Sequence, residues 1–377
     1  MSRKTDEGQR AKILRITFIN LARDCDWGGG ESWTLATAAG LHALGHLVQV
    51  IGRVGASMAT QAHHQGLQGN VAPVDIDYSP RTIIILSKLL RHFKTEVLVV
   101  HHNKDVRTGG VAAKLLNLPV VHRNGFPIIL NTFRHRITYS FTHRILTNST
   151  KIRDLYLSFG WISPDRIDVV PNGIKVPQTS DRRSEYRRKF NLPDGYLHAA
   201  YAGRLTAVKR VEDLIAVFSE LPPNNRWRLL IFGRGNREAF LKNQVLTWKL
   251  TDRVRFFGFV ENVQEVLGSM DLVLLPSEEE GMPNSLMEAM VRGVAVAATP
   301  VGDVPYLLDY GKAGWLMPVG NRQAFKELLL QLEANPAQLA AMGEAGKRRI
   351  VQTFTFDKMI HNVEKSLLRA IHDHQRN

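Results

Sequence analysis

Short apolar runs that read as strands alternate with helix-length stretches along almost the whole chain. This alternation restricts the fold to parallel sheets covered by helices on both faces. In the first half the strand-like runs are KILRITFI (12–19), HLVQVIG (46–52), EVLVVHH (96–102), PVVHRN (119–124), RILTNS (144–149) and RIDVVPNG (166–173), with a helical stretch around 81–93. A second series runs through YLHAAYAG (196–203), WRLLIFG (227–233), RVRFFGF (253–259), DLVLLP (271–276), VAVAAT (294–299) and GWLMP (314–318). Between the two series, KVPQTSDRRSEYRRKFNLPDG (175–195) is polar, charged and Pro-containing, and reads as a linker plus a short surface helix. The last sixty or so residues are amphipathic and helical. The expected fold class is therefore α/β: two doubly wound, Rossmann-like domains facing across a cleft. The expected boundaries are 1–174, a linker at 175–195, 196–355, and a C-terminal helix at 356–377 packing back on the N-terminal domain.

A chain of 377 residues suits two such domains, each able to bury a core without a disulfide or metal staple. The single cysteine, Cys25, has no internal partner. The start, MSRKTDEGQR, is polar and reads as frayed, with no apolar region ahead of a small-residue cleavage site. No apolar run approaches the length that spans a bilayer. The expected location is the cytoplasm. The formal net charge is +14, and residues 1–170 hold 21 Lys and Arg against 12 Asp and Glu. Such an excess suits an anionic partner or an acidic membrane surface, although charge that merely solubilises the chain gives the same count.

In doubly wound sheets, ligands sit beyond the carboxyl ends of the strands. The segment DLVLLPSEEEGMPNSLMEAMVRGVAVAATPVGDVP (271–305) places a strand end, an acidic loop and a helix start near Asn284 in that position. Glu280 lies in the loop and Glu288 about one turn into the helix, and Gly281 between them would permit unusual backbone angles. Helix-start amides attract anions and polar oxygens, and carboxylates suit hydroxyl groups. An acidic turn that only complements the helix dipole would look similar. In AGRLTAVKRVEDLI (202–215), Arg204 and Lys209 follow a strand that ends at Gly203. Two cations there can hold a diphosphate and neutralise charge growing on a leaving group. In IFGRGNREAF (231–240), Gly233 and Gly235 follow a strand but lack the third glycine of a dinucleotide fingerprint, so a tight packed turn is an equal reading. In DWGGGESWT (26–34), three glycines lead into a helix beginning near Glu31. His101 and His102 end one strand, and His122, Arg123 and Asn124 end the next. Asn172 and Gly173 read as a turn. There is no convincing Asp-x-Asp beside a strand end, no Cys/His cluster with zinc spacing and no Walker A pattern, so no metal site is expected.

EGMPNSLME, with Glu280 and Glu288 eight residues apart, followed by Gly293 and a T-P-V-G segment, resembles glycosyltransferase family 4, a retaining GT-B family. The resemblance implies that Glu280 touches hydroxyls of a donor sugar and Glu288 the ribose of its nucleotide. Gly281, Met282, Pro283, Asn284 and Ser285 would line the sugar and phosphate. The family's G-R-x-x-x-x-K pattern falls on Gly203, Arg204 and Lys209 and implies a diphosphate clamp. The loop at Gly233 resembles the family's G-x-G, and GFVENVQEVL (258–267) its base-holding segment, with backbone near Phe259 and Val260. Gly29, Gly30 and Glu31 match a G-G-x-E segment that faces the donor phosphate and acceptor. A family histidine near the donor sugar maps to His101, His102 or His122 without a unique choice. TNSTKIRDLY (147–156) and VVPNGI (169–174) match segments that close the N-terminal domain.

The function so implied is transfer of a sugar, with retention, from a nucleotide diphosphate sugar to a glycan or lipid-linked glycan acceptor. Lipopolysaccharide-core sugar transferases are closest in character. The nucleotide-sugar is a co-substrate, so no cofactor is expected, and no nucleic acid partner is expected. The basic N-terminal domain suits a peripheral enzyme at the inner face of the cytoplasmic membrane, with NTFRHRITYSFTHRILTNS (131–149) part of that face. The alternatives are a sugar-nucleotide epimerase of the same fold, or a non-catalytic basic protein that binds membrane or nucleic acid.

Overall fold

A computed structural model describes residues 12–23, 28–74, 76–125, 130–177, 183–260 and 262–376. Cys25, the residues 1–10 read as frayed, Asp26 and Trp27 of the glycine-rich loop, and residues 178–182 of the expected linker lie outside the described residues.

The first seven strands are β1 (Arg15–Ile19), β2 (Leu47–Arg53), β3 (Gln68–Ala72), β4 (Val97–Val100), β5 (Val120–Asn124), β6 (Arg144–Thr147) and β7 (Ile167–Val169). They form one parallel sheet in the order β3-β2-β1-β4-β5-β6-β7. The next six are β8 (Leu197–Ala202), β9 (Trp227–Phe232), β10 (Val254–Gly258), β11 (Leu272–Leu275), β12 (Ala295–Ala298) and β13 (Trp315–Leu316). They form a second parallel sheet in the order β10-β9-β8-β11-β12-β13. Central strands such as β4 (VLVV) and β11 (LVLL) are buried at every position, as helices on both faces require. The fold is two Rossmann-like halves, as the alternation implies.

Two segments differ from the sequence reading. β3 is an edge strand of sequence QGNVA, only partly buried, and its polar residues carry no apolar signal. The helix Arg183–Lys189, expected on the linker, belongs to the second unit. Tyr186 and Leu192 join that unit's core, and Arg187 Nη2 donates to Asp271 Oδ2 at 2.8 Å. One aromatic among charges is too little for a hydrophobic-period reading to find.

The chain crosses between the units twice, side by side. Ile174 N donates to Phe354 O at 2.9 Å, and Phe356 N donates to Ile174 O at 2.9 Å. The helix Phe356–Arg376 then lies on the first unit, where Met359, Ile360, Val363, Leu367 and Ala370 enter the core with Leu14, Phe18 and Val50. Asp168 on β7 anchors it. This buried carboxylate accepts from Arg144 Nε at 2.7 Å, Ser366 Oγ at 2.6 Å and Arg369 Nη1 at 2.9 Å. Burial pulls its pKa up, but the bonds from Arg144 and Ser366 outweigh that and hold it below the ordinary value. Replacing Asp168 with Ala takes the buried partner from Arg144, leaving that guanidinium to Asp373 and the Asp165 carbonyl, and removes the acceptor of Ser366 and Arg369. We expect Asp168→Ala to cost about 3 kcal/mol, read as a lower urea midpoint, because a buried ion pair is broken from one side.

Candidate active site in the cleft

Each sheet reverses its strand order once, between β1 and β4 and between β8 and β11. Such switch points open a crevice beyond the carboxyl ends of the strands. Most of the residues singled out in the sequence gather at these two crevices, which face each other.

On the second unit, β8 delivers Gly203, Arg204 and Lys209, and β11 delivers the acidic loop. Lys209 Nζ meets Glu280 Oε1 at 2.7 Å and donates to Glu279 O at 3.1 Å. An ammonium has three N–H donors, so one is left over. Ser277 Oγ donates to the same Glu280 oxygen at 2.7 Å, while Glu280 Oε2 has no partner among the described residues. Arg204 is exposed and has no ion-pair partner among the described residues. The helix Asn284–Val291 begins after Pro283 without a side-chain cap, so its first amides point into the crevice unspent. Met282 and Pro283 are buried, and Ser285 is half-buried. Glu288, one turn in, is half-buried without a hydrogen-bond partner among the described residues, and burial pushes its carboxyl up to about 7. Gly233 has φ +127°, and a Cβ there would lie 1.9 Å from Gly203 O. This glycine lets the β8 and β9 loops pack backbone to backbone. Phe259 is exposed beside half-buried Val260 at the end of β10.

On the first unit, Glu31 is buried. It accepts from Gly28 N at 2.9 Å, closing the start of the helix Gly29–Ala43, and lies 3.2 Å from His102 Nε2. Burial raises its pKa, yet the His102 and backbone hydrogen bonds bring it below the ordinary value. A Cβ on Gly30 would fall 2.2 Å from His101 Nε2, so glycine is required for this approach. His102 is 43% exposed and lines the cleft. His122 does not. It lies beneath the floor, its Nε2 donating to His101 O at 3.2 Å, because Tyr139 packs on its ring. Burial takes His122 down to about 3 and, with help from Arg123, holds His101 well below the ordinary value. Both are neutral at physiological pH. Glu31, His101 and His102 also place ligand-capable atoms within 4.8 Å of one another. Here the carboxylate is already engaged by Gly28 and His102, and His101 Nε2 is packed on Gly30.

The two units touch through polar groups. Gly29 faces Asn284, with 3.8 Å from a would-be Cβ to Asn284 Nδ2. Gly281 does not adopt the left-handed angles that a glycine there suggested. Its role is close approach: a Cβ would come within 2.8 Å of Gly125 O on the other unit. Asn172 is likewise no simple turn. Its Nδ2 donates to Asn284 Oδ1 at 3.0 Å and to Met282 O at 3.3 Å, while its Oδ1 accepts from Arg123 Nη2 at 3.3 Å. Asp303, buried, accepts from Ser149 Oγ at 2.9 Å, Thr150 N at 2.9 Å and Thr150 Oγ1 at 3.0 Å. It thereby caps the helix Thr150–Ser158 of the other unit. Arg123 is a buried guanidinium, 4.8 Å over the Trp33 ring, and desolvation lowers its pKa to about 10. The sequence reading gave Asn172, Asp303 and Arg123 no site role. The one signal available was their position just after strands, in segments flanking the cleft.

Two Rossmann-like halves with polar switch points facing each other define the GT-B class of glycosyltransferase. Residues 27–177 match the family described as Glycosyltransferase Family 4, and residues 182–349 match Glycosyl transferases group 1. The first half thus carries a glycosyltransferase family 4 domain and the second a group 1 glycosyl transferase domain. It is 27% identical over 190 residues to N-acetyl-alpha-D-glucosaminyl L-malate synthase of Bacillus anthracis, covering 50% of each chain. It is 27% identical over 188 residues to the lipopolysaccharide core biosynthesis mannosyltransferase LpcC of Rhizobium leguminosarum bv. viciae, covering 48% of this chain and 52% of that one. The chain spans about half the length of these curated relatives. The fold is similar to that of Anabaena Alr3699/HepE, solved in complex with UDP, with a TM-score of 0.82, 17% identity and coverage of 94% of this chain and 100% of that one.

The Glu288 carboxyl yields a pH test. Its pKa is raised from 4.5 in the folded state, so its protonated form contributes stability below about 4.5 that is lost as pH rises through about 7. Gln at this position does not titrate. The melting temperature of Glu288→Gln relative to the natural chain should rise between pH 4.5 and 7 and then level off, reaching a gain on the order of 2 °C. A pH-independent difference would show that the carboxyl is not desolvated.

Proposed function

We propose that this chain transfers a hexose-like sugar, with retention of configuration, from a nucleotide diphosphate sugar to a glycan or lipid-linked glycan acceptor. The setting is lipopolysaccharide or other cell-envelope polysaccharide synthesis. The observation that carries this reading is the crevice at β8 and β11. Among the described residues, Arg204 and Glu288 have no partner there, Lys209 keeps an N–H and Glu280 an oxygen unspent, and the helix start has no side-chain cap. Arg204 and Lys209 hold the diphosphate and take up the negative charge that develops as it leaves. Because these cations come from the protein, the reaction proceeds without a metal ion. Glu280 Oε2 accepts from a sugar hydroxyl, and Glu288, near its titration point, meets the ribose. The open amides of the helix Asn284–Val291 receive a phosphate or sugar oxygen. His102 and the Gly29–Glu31 helix start face the donor from the acceptor side. The UDP and UDP-glucose complexes of the Anabaena relative support a nucleotide-sugar donor. The curated relatives' names support an envelope-glycan setting. Among the described residues, no helix is long and apolar enough to cross a membrane. The basic first unit supports peripheral attachment at the inner face of the cytoplasmic membrane.

Lys209→Ala should weaken UDP binding about 10- to 100-fold by calorimetry, since a charge-assisted contact contributes roughly 1.5–3 kcal/mol. Glu280→Gln should lower turnover of the donor more than it raises its KM, because the contact sits next to the reacting carbon. Normal turnover in that variant would remove Glu280 from the sugar site.

Transfer should persist in EDTA, and product NMR should show the donor's anomeric configuration kept. Loss of activity in EDTA that Mg²⁺ or Mn²⁺ restores would overturn the metal-free step.

A further inference from the structure

A cavity of about 210 Å³ lies on the first unit outside the donor crevice. Asp77, Lys104, Arg107, Arg134, His135 and Thr138 line it. Lys104 and Arg107 come from the opening turns of the helix Asn103–Leu115, and Arg134, His135 and Thr138 from the helix Phe133–Ser140. Arg107 Nη1 and Arg134 Nη2 both donate to the same oxygen, Asp77 Oδ2, at 2.5 Å. One carboxylate thus stands against two guanidinium groups. Each guanidinium carries five N–H donors, and Arg107 gives one more to Asn103 O at 3.1 Å. Among the described residues, most of the remaining donors have no acceptor. His135 feels the excess: burial, then Arg107 and Arg134, hold its pKa below the ordinary value.

The cavity is tied to the cleft. His102 is the N-cap residue of the helix that carries Lys104 and Arg107. Arg107 therefore stands about 8 Å along the helix from the cleft histidine. Tyr139 on the neighbouring helix donates to Asn103 Oδ1 at 3.3 Å, and its ring lies 5.2 Å from that of His122. Beside the cavity the surface is apolar. Phe133, 77% exposed, and Ile137 share a face of their helix next to the Arg134 and Thr138 face, and Ile76 precedes Asp77.

We propose that this cavity is an oxyanion site that takes a phosphate group of the acceptor. The phosphate is carried either on the glycan or by the lipid to which the glycan is linked. Arginine forks match phosphate oxygens in pairs, and Asp77 holds the two forks convergent. The Thr138 hydroxyl, beside them in the lining, donates to Arg134 O at 2.9 Å. The assignment names an acceptor chemistry and so rests on the glycosyltransferase reading.

The test uses the full chain with saturating UDP, so that the Arg204 and Lys209 site is already filled. Inorganic phosphate is then titrated by calorimetry. The natural chain should bind it, and Arg134→Gln and Arg107→Gln should each weaken it at least tenfold while UDP affinity stays the same. Arg134 is 68% exposed, so its replacement leaves the core intact, and a thermal melt checks this. Flotation with phosphatidylcholine vesicles, with and without phosphatidylglycerol, separates the two sources. Arg134-dependent capture by phosphatidylglycerol vesicles that inorganic phosphate competes away assigns the site to a lipid phosphate. Phosphate binding without vesicle capture assigns it to a glycan phosphate. No phosphate binding beside UDP, or equal binding in both variants, overturns the proposal. A chain that fails to bind UDP at all instead overturns the donor reading, whatever phosphate does.

Discussion

The carboxylate of Asp303 holds the two halves in register. It sits in the second unit, yet its partners are the hydroxyls of Ser149 and Thr150 and the Thr150 amide of the first. A buried carboxylate is costly unless it is hydrogen-bonded, and an uncapped helix start wants an acceptor. Each unit thus supplies what the other lacks. Asn172 adds a second link, joining the Arg123 guanidinium to Met282 and Asn284 at the donor helix. Gly281 against Gly125 shows how closely the backbones come. A seam of this kind is directional. It sets the angle and register of the halves, where an apolar interface would tolerate sliding. Water can also replace its hydrogen bonds one for one when the halves part.

That register aligns the chemistry. The donor-side groups come from β8 and β11, and the facing groups from β1 and β4. Neither set makes an enclosed site alone. The Lys209–Glu280 pair shows how the site is kept ready. The ammonium is held by Glu280 and Glu279, and the carboxylate by Lys209 and Ser277, yet each keeps one bonding position open. Side chains fixed before a ligand arrives need no reorganisation afterwards, which is the condition under which fixed dipoles and charges are most effective. Burial sorts the histidines in the same region. His101 and His122 are neutral supports, while His102 reaches the cleft on a hydrogen bond to Glu31.

The first unit is bound into this arrangement by the chain itself. The returning helix Phe356–Arg376 fills the core beneath β1 and β4, and Asp168 ties it to Arg144. The C-terminal residues therefore complete the domain that the chain builds first. The two crossings at Ile174 and Thr355 lie together, so both covalent links pass through one place. Rotation of the halves about that place would strain neither sheet.

Local order determined what the sequence alone could tell. The alternation of apolar runs and helices specified two parallel sheets, because hydrophobic period is a property of neighbours a few residues apart. Glu280 and Glu288, and Arg204 and Lys209, stood out for the same reason: strand end, loop and helix start are contiguous, so their spacing is written in order. The edge strand β3 escaped because QGNVA has no apolar pattern to read. Gly281 was noticed, but for backbone angles, since the Gly125 carbonyl that excludes a Cβ is more than 150 residues away in the chain. Tertiary structure alone decided that His102 rather than His122 meets the cleft, that Asn172 bridges the units and that Asp303 caps a helix 153 residues earlier. A hydrogen bond or a burial is set by what lies across space, and a linear pattern records only what lies alongside.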